Sequence, residues 1–147
     1  MTREARRIGA ALNASLHLHL GNSTAALVPA NEAALAWLES QELAPEMAFF
    51  LSLSLEELVT NCIKYGYDDT AEHTIEIELS VTDRRLTIVV IDDGHAFNPL
   101  EERLPDLGQP IENRPIGGLG LHLLREMADE MTYERRDKTN RVSLTKN

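Results

Sequence analysis

The chain has 147 residues and a mass of 16.4 kDa, which is room for one domain of ordinary size. Hydrophobic residues make up 43% and charged residues 26%, a globular composition rather than a disordered, collagen-like or membrane one. The formal net charge of −10 disfavours nucleic-acid binding, because an acidic surface repels phosphate backbones.

Cysteine content and the chain start indicate a compartment. Cys62 is the single cysteine, so an internal disulfide is excluded and a reducing environment is favoured. No stretch approaches 18 apolar residues, and the first ten residues are charged without an apolar signal-peptide block. We therefore expect a cytoplasmic protein.

The first elements are a strand and a helix. Residues 12–20 alternate between apolar and polar side chains, which predicts a half-buried strand. His17 and His19 share its polar face. They could suggest a metal pair, but no cysteine or carboxylate stands at matching spacing, so a solvated strand face is the favoured interpretation. Apolar residues at helical spacing then predict an amphipathic helix over residues 29–42.

A long helix is predicted from Pro45 to Tyr65, ending at Gly66. Its apolar side chains form one stripe, and a polar stripe lies roughly 120° away around the helix. The apolar stripe contains Leu51, Leu55, Leu58 and Cys62, and the polar stripe contains Ser54, Glu57, Asn61 and Lys64. Because this helix should be largely buried, its polar groups need partners or a ligand.

The second half of the chain predicts a covered sheet. Residues 74–81 alternate and residues 86–92 form a continuous apolar run, a combination typical of strands covered by helices on one face. The proline-rich stretch 99–115 exceeds the usual loop length of about 12 to 15 residues, as lids often do. A helix over 121–131 and short strands at 131–135 and 141–146 follow. The predicted fold is α+β: a two-layer α/β sandwich with a mixed, mostly antiparallel sheet and helices on one face.

Glu57 and Asn61 are the first candidate site residues. Four positions apart on a helix, they point the same way. An Asn oxygen is a suitable Mg²⁺ ligand, and a neighbouring Glu can accept a proton from an attacking hydroxyl. Taken alone, such a pair is more often an ordinary solvated helix face.

The second candidate set follows the buried strand and contains Asp92, Gly94 and Ala96. A carboxylate at a strand end can accept a hydrogen bond from an exocyclic amine, and a glycine lets the backbone pass close to a flat ring. An ordinary Asp-Gly turn is the alternative, and it is favoured when this set is taken alone.

The third set is a glycine cluster, Gly117, Gly118 and Gly120, at the start of a predicted helix. Exposed backbone N–H groups and the helix dipole make such a start suited to phosphate. The cluster is neither a P-loop nor the dinucleotide fingerprint. Alone it is weak evidence.

In their order and spacing, E-x-x-x-N, D-x-G-x-A and G-G-L-G resemble the three nucleotide-binding boxes of the Bergerat-fold ATPases. The resemblance is closest to the anti-sigma-factor serine kinases of the RsbW type and covers nearly the whole chain. It implies one histidine kinase-like ATPase domain over residues 1–147, with an ATP lid at about 97–116.

The resemblance also implies roles for the candidate residues. Glu57 takes the general-base position, Asn61 is the Mg²⁺ ligand, and Asp92 accepts the adenine amine. Gly94 and Ala96 would line the adenine pocket, and the phosphates would be held by Arg114, Gly117, Gly118, Leu119 and Gly120. Two positions depart from the family pattern. Ala96 replaces a glycine, which is tolerated where φ is negative, and Tyr65 stands where many relatives have His.

The function implied by the resemblance is transfer of the γ-phosphate of ATP, with Mg²⁺, to a Ser or Thr of a STAS-type anti-sigma-factor antagonist. A sigma factor would be a second partner, and a homodimer the assembly. The alternative is a non-catalytic module that sequesters a sigma factor or another regulator in an ATP-dependent way; a retained Glu57 argues against it. Sensor histidine kinases, gyrase-like ATPases and chaperones are disfavoured by chain length, and an unrelated sandwich with chance motifs is the remaining possibility.

Overall fold

Five strands form one sheet over residues 13–101 and 119–147, the parts of the chain that the computed structural model describes. The strands are β1 (Ala14–Gly21), β2 (Thr74–Thr82), β3 (Arg85–Asp92), β4 (Glu130–Arg136) and β5 (Thr139–Lys146). The helices are α1 (Thr24–Glu39), α2 (Glu46–Tyr65) and α3 (Leu119–Met127), with a 3₁₀ turn at Pro99–Glu101. The spatial order is β1-β2-β3-β5-β4, and all four pairings are antiparallel. The predicted element order and α+β class are confirmed.

The helices cover one face of the sheet. The inward side chains of β2 are buried while the outward ones are partly exposed, and α1 and α2 pack on each other and on β1 and β3. The predicted two-layer sandwich is therefore confirmed. None of these helices has the length and apolar content that crossing a bilayer requires. Fully buried side chains at the centre of the core include Phe50, Leu51, Leu55, Ile75, Ile77, Ile88, Leu124 and Leu144.

Helix α2 has the bounds and faces that its sequence predicts. Leu51, Leu55 and Leu58 are buried on the apolar stripe. Ser54 is also buried, and it satisfies its hydroxyl within the helix by donating to the Phe50 carbonyl oxygen at 2.7 Å. The remaining polar stripe is thus presented at the edge of the core by a helix fixed through packing.

Helix α1 begins earlier than predicted, at Thr24 rather than Pro29, and ends at Glu39 rather than residue 42. Ser23 caps the start, since its Oγ accepts a hydrogen bond from the Ala26 N–H at 3.2 Å. Pro29 lies inside the helix. The helix therefore begins after the Ser23 cap, and Pro29 is an interior residue of the helix rather than its first residue.

Helix α3 is shorter than the predicted 121–131 and covers Leu119–Met127. The Asp129 N–H donates to the Thr145 carbonyl oxygen at 2.8 Å, so the chain joins the sheet and β4 starts at Glu130. The β4–β5 turn carries Asp137 and Lys138 at φ 50° and 66°, the pair of positive values typical of a tight type I′ hairpin.

Candidate nucleotide-binding site

A pocket lies between the C-terminal half of α2 and the ends of β3 and β5. The lining residues are Leu58, Asn61, Cys62, Gly66, Val90, Asp92, His95, Phe97, Pro99, Asn140 and Val142. Mostly apolar walls with a few convergent polar groups suit a flat, partly polar ligand such as a nucleobase.

Asp92 is the buried carboxylate of this pocket. It is the last residue of β3 and is 7% exposed. Its Oδ1 accepts hydrogen bonds from the Gly94 N–H and the Asn140 side-chain amide, both at 2.9 Å. Its Oδ2 accepts only a weak one, from the Cys62 thiol at 3.2 Å, among the described residues. One oxygen is thereby fixed by the protein, and the other has capacity left for a ligand donor.

Asn140 belongs to the candidate site but lies outside the three sequence motifs. It lies opposite Asp92 in the β3–β5 register and is 2% exposed. Its amide nitrogen also donates to the His95 carbonyl oxygen at 2.8 Å, and its Oδ1 accepts from Tyr133 at 2.5 Å and Arg135 at 2.9 Å. The sequence does contain an indication of its role. Asn140 is a polar residue at an inward-facing position of β5, and the next inward positions are the apolar Val142 and Leu144.

The loop after β3 closes directly on the end of α2. A Cβ atom on Gly94 would lie 2.6 Å from the Gly66 carbonyl oxygen, so a side chain is excluded there. The His95 N–H donates to that same oxygen at 2.8 Å. Ala96 is exposed and is not among the described residues with positive φ, so its methyl group is tolerated. His95 and Phe97, rather than Ala96, line the pocket.

The second end of the site is formed by Glu57 and Asn61, one turn apart on α2. Partial burial, reinforced by the negative charge of Glu56, raises the pKa of Glu57, while the positive charge of Lys64 opposes the shift. A Cβ built on Gly120 would overlap the Glu57 carboxylate, so the start of α3 closely approaches this group. Glycine is the residue that permits this approach.

Asn61 carries an unsatisfied group. Its side-chain nitrogen is buried and has no hydrogen-bond partner within residues 13–101 and 119–147. Buried polar atoms are nearly always paired in folded proteins, and this nitrogen has donor capacity that a phosphate oxygen would take up. A metal ion would instead be held by the Oδ1 atom of the same amide. Asn61 and Asp92 therefore fit a bound adenine nucleotide with its metal ion.

Part of the predicted phosphate cradle lies outside the described residues. This applies to Arg114, Gly117 and Gly118, and to residues 102–116 of the predicted lid. Leu119 and Gly120 open α3, with Leu119 exposed. At the start of the predicted lid, the ring of Phe97 stacks on Tyr65 with centroids 5.9 Å apart. Tyr65, the departure from the family pattern, thus contacts the beginning of that segment.

The sheet covered by helices on one face and the pocket floored by a buried carboxylate together define a nucleotide-binding domain. Comparison with known proteins identifies its family. Residues 21–146 match the family described as histidine kinase-like ATPase domain. The chain belongs to this family, as its sequence predicts, and ATP is the nucleotide that the family's description names.

Relatives of the chain are named as protein kinases. It is 29% identical over 116 residues to the serine/threonine-protein kinase BtrW of Bordetella bronchiseptica, covering 76% of this chain and 82% of the relative. It is 27% identical over 101 residues to the serine-protein kinase RsbW of Bacillus subtilis, covering 65% and 62%. The alignments span only about half to two thirds of the RsbW relatives. These names are of the kinase class predicted from the sequence.

One solved structure supports the fold. The RsbU and RsbW domains of Rv1364c from Mycobacterium tuberculosis match with a TM-score of 0.62 and 16% identity, over 91% of this chain and 32% of that one. At this low identity the match supports only the fold, and it agrees with the two-layer sandwich described above.

Proposed function

We propose that the chain is an ATP-dependent protein serine/threonine kinase that phosphorylates an anti-sigma-factor antagonist in a partner-switching system. The observation that supports this proposal most directly is the placement of Glu57. Its carboxylate is partly buried and lies against Gly120 at the start of α3. It is one helical turn from Asn61, whose side-chain nitrogen has no hydrogen-bond partner among the described residues. A module that only binds nucleotide needs no such base. The kinase names of the relatives support the same function.

Adenine recognition falls to the buried end of the pocket. Asp92 Oδ2 would accept the exocyclic amine, because Oδ1 is already engaged by Gly94 and Asn140. The apolar side chains of Leu58, Val90 and Val142 would cover the ring. The 6-oxo group of guanine cannot donate to a carboxylate, so this arrangement favours ATP over GTP.

The reacting end uses the other polar residues. ATP with Mg²⁺ supplies an activated phosphoryl group whose negative charge the metal neutralises. The Asn61 side chain would hold the metal. Glu57 would take the proton of the attacking Ser or Thr hydroxyl as that oxygen bonds to the γ-phosphorus and the bond to the ADP leaving group breaks. Desolvation suits Glu57 to this role, since a raised pKa makes it a stronger base than an exposed carboxylate.

Several further parts of the proposal rest on the family resemblance. They are a single domain over residues 1–147, a lid at about 97–116, and phosphate contacts from Arg114, Gly117, Gly118, Leu119 and Gly120. The proposed partners are a STAS-type antagonist and a sigma factor, the proposed assembly is a homodimer, and the proposed setting is transcription regulation in the cytoplasm, where ATP is supplied.

Intact-mass measurement tests the proposal. The protein is mixed with MgATP and each antagonist domain encoded in the same genome, and we expect one antagonist to gain one phosphate on a Ser or Thr. Glu57→Gln, which keeps the shape of the side chain, should leave that antagonist unmodified over the same time. If the wild type binds MgATP and a sigma factor but modifies no antagonist, the non-catalytic binding module is the correct function.

A further inference from the structure

Two histidines and a glutamate converge on the outer face of the sheet, opposite the helices. His17 and His19 lie on β1, and the antiparallel register places Glu76 of β2 directly opposite His19. Nε2 of His17 is 3.7 Å from one carboxylate oxygen of Glu76, and Nδ1 of His19 is 3.8 Å from the other. Within residues 13–101 and 119–147, no other three His, Cys, Asp or Glu side chains converge as closely.

The third side chain overturns the reason for dismissing the histidine pair. No carboxylate stands near His17 and His19 in the sequence, but β2 delivers one through strand pairing. Each imidazole faces a different oxygen of the same carboxylate, and the two rings lie on the same side with centroids 4.5 Å apart. A simple ion pair would require only one of the histidines.

We propose that His17, His19 and Glu76 form a binding site for a divalent transition-metal ion of the Zn²⁺ class. Two imidazole nitrogens and a carboxylate oxygen are a common Zn²⁺ donor set, and water completes the tetrahedron. Ligand atoms at about 2.1 Å from zinc lie roughly 3.4 Å apart, so the three donors, all within 4.8 Å of one another, need only small rotamer changes. Exposures of 48%, 57% and 38% leave room for these changes and for entry of the ion.

The carboxylates next to these three residues do not enter the donor set. Glu78 lies opposite His17 in the register. It is held by Arg141 of β5 at 3.5 Å, so it stays outside the donor set. His73 has two acidic neighbours elsewhere, but Asp69 faces its Nε2 and Asp93 its Nδ1; these carboxylates cannot share one ion with the ring.

The position of the site indicates what the ion does. In the described sheet β1 is an edge strand whose single strand neighbour is β2, and the donors come from both strands. A bound ion would therefore link β1 to β2 and hold this edge strand in the sheet. Because the ion binds the folded arrangement, it stabilises the protein against unfolding. The site lies on the opposite side of the sheet from the Asp92 pocket and is independent of the proposed kinase function.

Zn²⁺ titration by calorimetry, without nucleotide, tests the proposal. We expect the wild type to bind one Zn²⁺ at this site and to melt at a higher temperature with Zn²⁺ than with EDTA. His17→Ala/His19→Ala and Glu76→Gln should each weaken binding at least about tenfold, since even outer-shell changes typically cost 10- to 100-fold. Co²⁺ should give the intense visible absorption of tetrahedral coordination in the wild type and not in these two variants.

Matched variants separate this site from other donors. Glu78→Gln, on the same face of β2, and His73→Gln, beside its own two carboxylates, should keep wild-type Zn²⁺ affinity. MgATP affinity, which depends on the opposite side of the sheet, should be unchanged in the double histidine variant and reports that it has folded. The proposal is overturned if the wild type fails to bind Zn²⁺, if the double variant binds it equally well, or if His73→Gln abolishes binding.

Discussion

The two parts of the candidate nucleotide site differ in how completely the protein satisfies its own polar groups. At the proposed adenine end, one oxygen of Asp92 is held by Gly94 and Asn140 and the other accepts a weak hydrogen bond from the Cys62 thiol. At the proposed phosphate end, Asn61 has a buried nitrogen without a partner in the described structure, and partial burial raises the pKa of Glu57. The first group of residues lies on and after β3 and on β5 and touches α2 through Cys62, whereas Glu57 and Asn61 lie on α2 itself.

This contrast predicts different roles for the two parts of the site. Folding alone orders the adenine end, so its hydrogen bonds are ready before a ligand arrives and should contribute to affinity and to stability. The phosphate end carries unfavourable desolvation that a bound nucleotide and its metal ion would relieve. Substitutions at the adenine end should therefore change binding or folding, whereas a substitution of the base should change the rate.

The largest expected effect is that of Glu57→Gln. A proton acceptor contributes about 10²- to 10⁴-fold to a rate, so phosphate transfer should slow by that factor while the affinity for MgATP stays near that of the wild type. Single-turnover kinetics with a phosphorylatable antagonist measures the rate of phosphate transfer, and calorimetry measures the affinity for MgATP. Glu56→Gln, one residue away and exposed, should retain most of the rate. A Glu57→Gln variant as fast as the wild type would remove the base from the proposal.

Asp92→Asn tests the adenine end. Replacing a charged acceptor of the adenine amine should cost about 1.5 to 3 kcal/mol, which is roughly a 10- to 150-fold weaker affinity for ATP. Calorimetry with ATP measures this, and GTP should bind weakly to both proteins. The control is Asp93→Asn, because Asp93 is the exposed neighbour of Asp92. Equal losses in the two variants would show a general effect of charge rather than recognition by Asp92.

Asn140→Ala should affect folding more than chemistry. The substitution removes a donor to Asp92 and to the His95 carbonyl, and an acceptor for Tyr133 and Arg135. Leaving such buried groups unsatisfied should lower the free energy of unfolding by about 1 to 3 kcal/mol. Urea denaturation measures the loss. Arg141→Ala, at the next position on the outer face of β5, should change it by less than about 0.5 kcal/mol, and a similar loss in both would contradict the argument.

The fold was predictable because its signals are local. Alternation identifies β2, the long apolar stripe identifies α2, and Gly66 marks its end. The start of α1 was predicted too late, at Pro29, because the apolar spacing was followed from there, whereas the capping hydroxyl of Ser23 decides the boundary. These errors moved helix ends without changing the topology.

The candidate site was less predictable because parts of it depend on strand pairing. Asp92 and Gly94 could be found from their motif, but the contact of Asn140 with Asp92 exists only once β5 is paired with β3. The convergence of His17 and His19 on Glu76 likewise depends on the β1–β2 register. A sequence motif contains only residues that are near one another in the chain. Site residues from distant parts of the chain become visible only when the strand register is known.

The smallest expected effect concerns the pH dependence of the reacting end. Burial, aided by Glu56, raises the pKa of Glu57, and Lys64 lowers it. A base works only when ionised, so kcat/KM should fall as the pH drops through this raised pKa, with an inflection above the ordinary glutamate value of about 4.3. Measurement of kcat/KM against pH locates the inflection, and Glu57→Gln should lose it.

Two neighbouring substitutions should move this inflection in opposite directions. Glu56→Gln removes a negative charge that disfavours ionisation of Glu57, so the inflection should shift to lower pH, whereas Lys64→Gln removes a favourable positive charge and should shift it to higher pH. Both groups are exposed, so solvent screens their effect and each shift should shrink at high salt. Shifts in the same direction in both variants would mean that the inflection belongs to another group, and the base would then have to be sought elsewhere in the pocket.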